Sequence, residues 1–174
     1  MTIAALVILL SLHADPASAA PITGNPITRS VMDYGAVADG TTDCSSVFQR
    51  ALDAAAAANG GTVEAPSGRY RFDGPVTVPP NVTLRGTFSY SPSHTGLRDA
   101  GAAKPVYGSV LEPRGGAGTE EGAPFITLQD NATMQGFTVH YPEQKTDAPE
   151  PTPYPYAVAM RGNNPAIIDV QLLN

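Results

Sequence analysis

The segment from Val31 to Tyr70 constrains the fold more than any other part of the chain. It begins Val31-Met-Asp-Tyr-Gly-Ala-Val-Ala-Asp-Gly-Thr-Thr-Asp43, passes through an alanine-rich stretch, and closes with Gly60-Gly61-Thr-Val-Glu-Ala-Pro66-Ser-Gly68-Arg-Tyr70. Val31 and Tyr34 read as a short strand, and Gly35, Asp39 and Gly40 supply turn chemistry. Thr42 or Asp43 is the expected helix N-cap; neither has Glu or Gln three residues on, so no capping box is expected there. Val47, Phe48, Ala51, Leu52 and Ala55 then fall on one helical face, with Ser46, Gln49, Arg50 and Asp53 opposite. Such a face must be buried. Asn59-Gly60-Gly61 ends the helix, and short alternating segments follow at Thr62–Glu64, Tyr70–Phe72, Val76–Val78 and Val82–Arg85.

Three later segments share one rhythm. Asn81-Val-Thr-Leu-Arg-Gly86, Asn131-Ala-Thr-Met-Gln-Gly136 and Asn164-Pro-Ala-Ile-Ile-Asp169 each place a turn-forming Asn before alternating apolar residues. Successive coils of a β-solenoid would set those apolar residues above one another. The intervals are irregular, so insertions are expected between coils: Ser89 to Gly108 (with His94, Arg98 and Lys104), Glu112 to Pro124, and Pro142 to Pro155. Asn81-Val-Thr83 and Asn131-Ala-Thr133 also match glycosylation acceptors, but they sit at the same turn positions.

The stretch from Asp33 to Tyr70 resembles the entry segment of the pectate-lyase-like (rhamnogalacturonase/epimerase-like) right-handed parallel β-helix superfamily. Those proteins commonly open with a D-[FY]-G-A-x-x-D-G-x-x-D stretch, an amphipathic helix and a G-G-x-V-x-x-P-x-G-x-Y strand pair. Spread over about forty residues, this match is far more specific than a lone glycine motif. Two positions depart from the pattern: Cys44 stands where many relatives carry another acidic residue, and Glu64-Ala65 where aromatics are common. The resemblance implies an all-β fold, a right-handed parallel β-helix with an N-terminal capping α-helix. The chain stops at Leu172-Leu173-Asn174, directly after a strand. Because a β-helix needs its last coil covered, the expectation is a domain truncated at its C-terminus.

The expected organisation is a signal peptide over residues 1–19, an irregular lead-in over 20–28, and the cap and first rungs of the β-helix over 29–174. Thr2 to Leu12 is apolar but too short to span a bilayer, and Ala17-Ser18-Ala19 has the form of a signal-peptidase site. Secretion to the periplasm or the extracellular space is therefore expected, with no membrane span. A net charge of -6 and a pI near 4.8 argue against nucleic acid as a partner. The single Cys44 rules out an intrachain disulfide; at the first turn of a helix the macrodipole would lower its pKa, but a buried structural thiol is the expected state.

The resemblance points to a polysaccharide as partner and to a polysaccharide lyase or glycoside hydrolase acting on a pectin-like or other acidic glycan. The alternative is a non-catalytic β-helix such as an adhesin or a tailspike-like glycan-binding protein. Glycoside hydrolysis needs two carboxyl groups, roughly 5–9.5 Å apart, and a lyase needs a Lys or Arg base, often with a cation. No such constellation is legible, so catalytic residues are expected beyond Asn174, and Ca2+ is implied only for a full-length lyase. Asp33, Asp39 and Asp43 lack the ligand alternation of an EF-hand loop and read as turn and cap residues, so no metal site is assigned. Asp130 and Asp169 likewise read as turn or ladder residues. For glycan contact the candidates are His140, Tyr141, Glu143, Tyr154 and Tyr156, because aromatic faces stack on sugar rings and polar side chains bond hydroxyls.

Overall fold

In the computed structural model the described residues are 27–88, 108–144 and 149–173. The proposed signal peptide and most of the lead-in lie outside them, as do the 89–107 insertion with His94, Arg98 and Lys104, and also Lys145. Among the described residues, eleven strands and one α-helix follow the order β1 (Thr28–Ser30), β2 (Asp39–Asp43), α1 (Ser45–Ala57), β3 (Gly61–Glu64), β4 (Gly68–Phe72), β5 (Val76–Val78), β6 (Val82–Arg85), β7 (Ser109–Pro113), β8 (Ile126–Leu128), β9 (Thr133–His140), β10 (Val158–Met160) and β11 (Ala166–Leu173).

All strand pairings are parallel, and each joins one coil to the next. One face stacks β1, β3, β6 and the first halves of β9 and β11. A second stacks β2, β4, β7 and the second halves of β9 and β11, and a third stacks β5, β8 and β10. In the first coil the third position is taken by α1, which packs against β5, β3 and the turn before β2. Period-2 alternation sends one set of side chains inward on every strand. Registered inward columns result: Val63, Leu84, Met134 and Ile167 on the first face; Tyr70, Leu111, Val139 and Leu172 on the second; Val78, Leu128 and Met160 on the third. Residues of the middle coils in these columns are fully buried, whereas Ile167, Leu172 and Met160 in the last coils are exposed.

Phe48 of α1, Phe72 and Phe125 form a run of edge-to-face contacts with centroids 4.9 and 5.1 Å apart, and Tyr70 meets Phe48 at 5.2 Å. The expected apolar helix face is thereby placed in the core: Phe48, Ala51, Leu52 and Ala55 are buried and Val47 packs at its margin. Asn59 and Gly60, both at positive φ, end the helix as anticipated.

Several local expectations need correction. Val31–Tyr34 is a 3₁₀ turn and not a strand; the strand precedes it at Thr28–Ser30. Ser30 accepts from the Met32 N–H while Asp33 accepts from the Ser30 N–H, and this capping box favours the tight turn over extension. Thr42 lies in β2, and the N-cap of α1 is Cys44, whose side chain makes no cap bond. Asp43 substitutes from one residue earlier, accepting from the Ser45 N–H at 3.0 Å and its hydroxyl at 2.6 Å. Glu112, placed in an insertion by its neighbouring prolines and glycines, belongs to β7 and is buried.

Cys44 is a buried thiol, and it donates to the Val37 and Thr42 carbonyls. Burial raises its pKa, outweighing any helix-terminus effect. The rhythm of Asn81, Asn131 and Asn164 is a physical ladder. All three adopt positive φ before a first-face strand; Asn131 donates to Asn81 at 3.1 Å, and Asn164 donates to Asn131 at 3.4 Å.

Each acidic residue of the entry segment is engaged locally. Asp39 accepts from the Thr42 and Thr41 N–H groups and the Thr42 hydroxyl at 2.7–2.8 Å, and these bonds hold its pKa far below the usual carboxylate range. For Asp43, burial works upward, but bonds from Ser45 and the Asp73 N–H outweigh it and the pKa is lowered. A depressed folded-state pKa contributes stability above the unfolded value of about 3.9, lost as pH falls below it. The melting temperature should therefore drop on acidification from about pH 6 to about pH 3, and Asp39→Asn with Asp43→Asn should flatten that slope. Calorimetric scans across this range check the outcome.

Candidate functional site

The corner between the second and third faces gathers turns from three successive coils: Asp73–Pro75 after β4, the 114–125 loop after β7, and the segment after β9. They surround a cavity of about 170 Å³, whose wall includes Phe72, Asp73, Glu121, Phe125, Tyr141 and Tyr154. Glycines at 115 and 116 let the loop lie close: a Cβ at Gly115 would collide with the Asp73 carbonyl, and one at Gly116 would come within 2.9 Å of Pro155.

Tyr141 and Tyr154 face each other with centroids 4.7 Å apart and planes tilted by 58°. Burial pushes the Tyr141 phenol up to about 12, with Tyr154 adding to it; Tyr154 is raised by burial and then by Glu143. Both phenols stay protonated over the physiological range, as hydrogen-bond donors without charge. The Tyr154 hydroxyl lies 3.4 Å from Glu143 Oε2, and Glu143 Oε1 is 3.5 Å from Arg114 Nη1. Gln144 closes the base of the loop with a reciprocal pair of bonds to the Thr152 backbone.

Beside the cavity, the outward side of the second face carries a charged row. Arg71 grips Asp73 with two bonds of 2.8 Å and donates to the Thr41 carbonyl. One strand on, buried Glu112 pairs with Arg69 and lies 3.4 Å from Nδ1 of His140.

Of the five glycan-contact candidates, the structure brings Tyr141, Glu143 and Tyr154 together. His140 is adjacent in sequence but points to the opposite side of β9 from Val139, toward Glu112. Tyr156 is 76% exposed and lines a separate apolar depression with Val158, Ile167, Val170 and Leu172. The sequence reading missed Asp73, Glu121, Arg114 and Glu112. Val110-Leu111 after Gly108-Ser109 is a short apolar pair bounded by turn residues, and that was the available signal for β7. Arg85 pairs with Glu64 on the neighbouring strand, and Asp130 accepts from the Asn163 N–H at 2.6 Å as a turn residue. Among the described residues no group of three or more His, Cys, Asp or Glu is placed to hold a metal ion, and no helix is long and apolar enough to cross a membrane.

Known proteins resemble this chain in sequence or in fold. The mannuronan C5-epimerase AlgE6 of Azotobacter vinelandii is 38% identical over 109 residues, 59% of this chain and 12% of the epimerase. Alginate lyase 7 of the same organism is 53% identical over 45 residues, 26% of this chain and 5% of the lyase. The crystal structure of PfbA, a surface adhesin of Streptococcus pneumoniae, superposes with a TM-score of 0.56 at 21% identity, covering 84% of this chain and 33% of PfbA. The chain thus spans about an eighth or less of these curated relatives and a third of the adhesin structure. Residues 28–151 match the family model described as rhamnogalacturonase A/epimerase, pectate lyase-like. With its parallel coils and that match over most of its length, the chain belongs to the rhamnogalacturonase A/epimerase, pectate lyase-like family.

Proposed function

We propose that this chain is the amino-terminal part of an exported, polysaccharide-active β-helix protein, a lyase or glycoside hydrolase on an acidic glycan, and that it contributes a wall of the glycan-binding surface. The observation that carries this reading is the cavity framed by Tyr141 and Tyr154. It sits on turns of three stacked coils and offers aromatic surface beside hydrogen-bonding groups, the composition that sugar binding requires. Family membership supports a glycan as the partner, and AlgE6 and alginate lyase 7 carry names of enzymes acting on mannuronan and alginate. In this reading α1 is the cap over the first coil, residues 1–19 are removed on export, and the chain alone binds glycan without turning it over. The second reading, a non-catalytic glycan-binding module, takes support from the adhesin only at the level of fold.

Tyr154→Ala should weaken oligosaccharide binding roughly tenfold, about 1.4 kcal/mol, by removing one aromatic face. The chain contains no Trp, so its binding can be followed by tyrosine fluorescence titration with alginate and pectin oligosaccharides, both native and carboxyl-reduced. Unchanged affinity in the variant, or no binding by the parent, would remove the basis for the assignment. Release of unsaturated uronate or new reducing ends by this chain would refute the binding-only role.

A further inference from the structure

Resting on the glycan reading but narrowing it, we infer that the ring seated in the Tyr141–Tyr154 cavity is an uncharged sugar residue and not a uronate or a sulfated sugar. The observation is the charge of the wall. Among the described residues, two carboxylates, Asp73 and Glu121, line the cavity, and no Lys, Arg or His does. The phenols of Tyr141 and Tyr154 remain protonated and neutral.

Both nearby guanidinium groups face protein carboxylates, with Arg114 Nε left without a hydrogen-bond partner among the described residues. Arg71 is clamped by both oxygens of Asp73 and by the Thr41 carbonyl, and Arg114 faces Glu143. A sugar carboxylate entering the cavity would meet the exposed carboxylate of Glu121 without a lining cation to neutralise it, a repulsion that acts through solvent and is therefore largest at low salt. A neutral pyranose meets no such opposition. Its apolar C–H face suits the tyrosine rings, and its hydroxyls donate to carboxylate oxygens and accept from phenols. At about 170 Å³ the cavity is smaller than the several hundred Å³ typical of drug-sized ligand sites, so it holds one ring and not a stretch of chain. On an acidic polysaccharide, this position would select a neutral residue of the polymer or exclude a charged one.

The discriminating ligands are alginate oligosaccharides and the same oligosaccharides after reduction of their carboxyl groups, which keep linkage and ring and lose the charge. Titrated against the whole chain by tyrosine fluorescence and by NMR shifts of the tyrosine rings, the reduced ligand should bind about fivefold more tightly at low salt. Raising the salt from about 0.01 M to about 1 M shrinks the screening length from about 30 to about 3 Å. That change should strengthen uronate binding several-fold and leave the neutral ligand nearly unaffected. Glu121→Gln should narrow the gap between the two ligands at least threefold.

Tighter or equal binding of the native uronate, with Tyr154→Ala weakening it, would overturn this inference and leave the glycan site standing. Neutral-ligand binding that Tyr154→Ala does not weaken would also overturn it. If neither ligand shifts the tyrosine signals, both the inference and the proposed glycan site fail.

Discussion

Replacing Phe72 with alanine should destabilise the protein by about 3–5 kcal/mol, the range for deleting a buried aromatic ring from a packed core. Phe72 is 1% exposed and stands between Phe48 of α1 and Phe125 at the start of the third face, touching both edge to face. Its loss removes one of the two aromatic contacts that Phe48 of α1 makes with β4, as well as opening a cavity. Because a domain of this size holds only about 5–15 kcal/mol in total, urea denaturation should show a midpoint reduced by a large fraction. Phe72→Leu, which refills part of the space, should recover about half of the loss. A Phe72→Ala variant as stable as the parent would mean that the aromatic run does not organise this end of the core. Phe72 also forms part of the cavity wall, so the same variant should lose glycan binding even under conditions where it remains folded.

The second large effect is expected at Asn131. Its φ of 54° lies in the left-handed region, its amide donates to Asn81, and its oxygen accepts from Asn164. Asn131→Ala loses both exposed side-chain bonds, about 0.5 kcal/mol each, and adds about 1–2 kcal/mol because Ala, unlike Asn, has no short polar side chain to bond locally in left-handed backbone. A total of about 2–3 kcal/mol is expected. Asn131→Gly removes the backbone penalty but not the bond loss, so it should fall about 1 kcal/mol short of the parent. Equal stability of the Ala and Gly variants would show that the turn relaxes out of the left-handed conformation. Thermal melts of the three proteins separate these outcomes.

The repeating parts of the fold were readable because their physical cause is local. Asn before an alternating run marks a turn that only a few residue types tolerate, and this placed Asn81, Asn131 and Asn164 at equivalent corners before any coordinates. The apolar face of α1 and its Asn59-Gly60 stop were legible for the same reason. What escaped were features decided by a neighbouring coil. Glu112 looked like a loop residue because prolines and glycines follow it, yet pairing with β4 draws it into a strand beside Arg69. Val31–Tyr34 looked extended by composition, and one capping box was enough to coil it. For the candidate site, the local loop His140–Glu143 with Tyr154 was visible, but which members met was not. Alternation along β9 turns His140 away from Tyr141, and Tyr156 leaves the cavity for the last coil. Glu121 and Asp73 lie far apart in sequence and share a wall only because their coils are stacked.

The registered columns of inward side chains have a consequence for how this molecule opens. Each coil's hydrogen bonds run only to the coils before and after it, so the chain behaves as a one-dimensional series in which unfolding starts at an end and advances rung by rung. Amide exchange should accordingly form a gradient: fastest along β10 and β11, where Met160, Ile167 and Leu172 are exposed, and slowest in β4, β7 and the second half of β9, whose inward residues Tyr70, Leu111 and Val139 are fully buried. Through its Phe72 and Phe125 wall the Tyr141–Tyr154 cavity draws on the slow interior, while Tyr154 belongs to the loop leading into the fast-exchanging coils. Ligand binding there would tie the two together, and protection should spread outward from the middle of the stack when a sugar is bound.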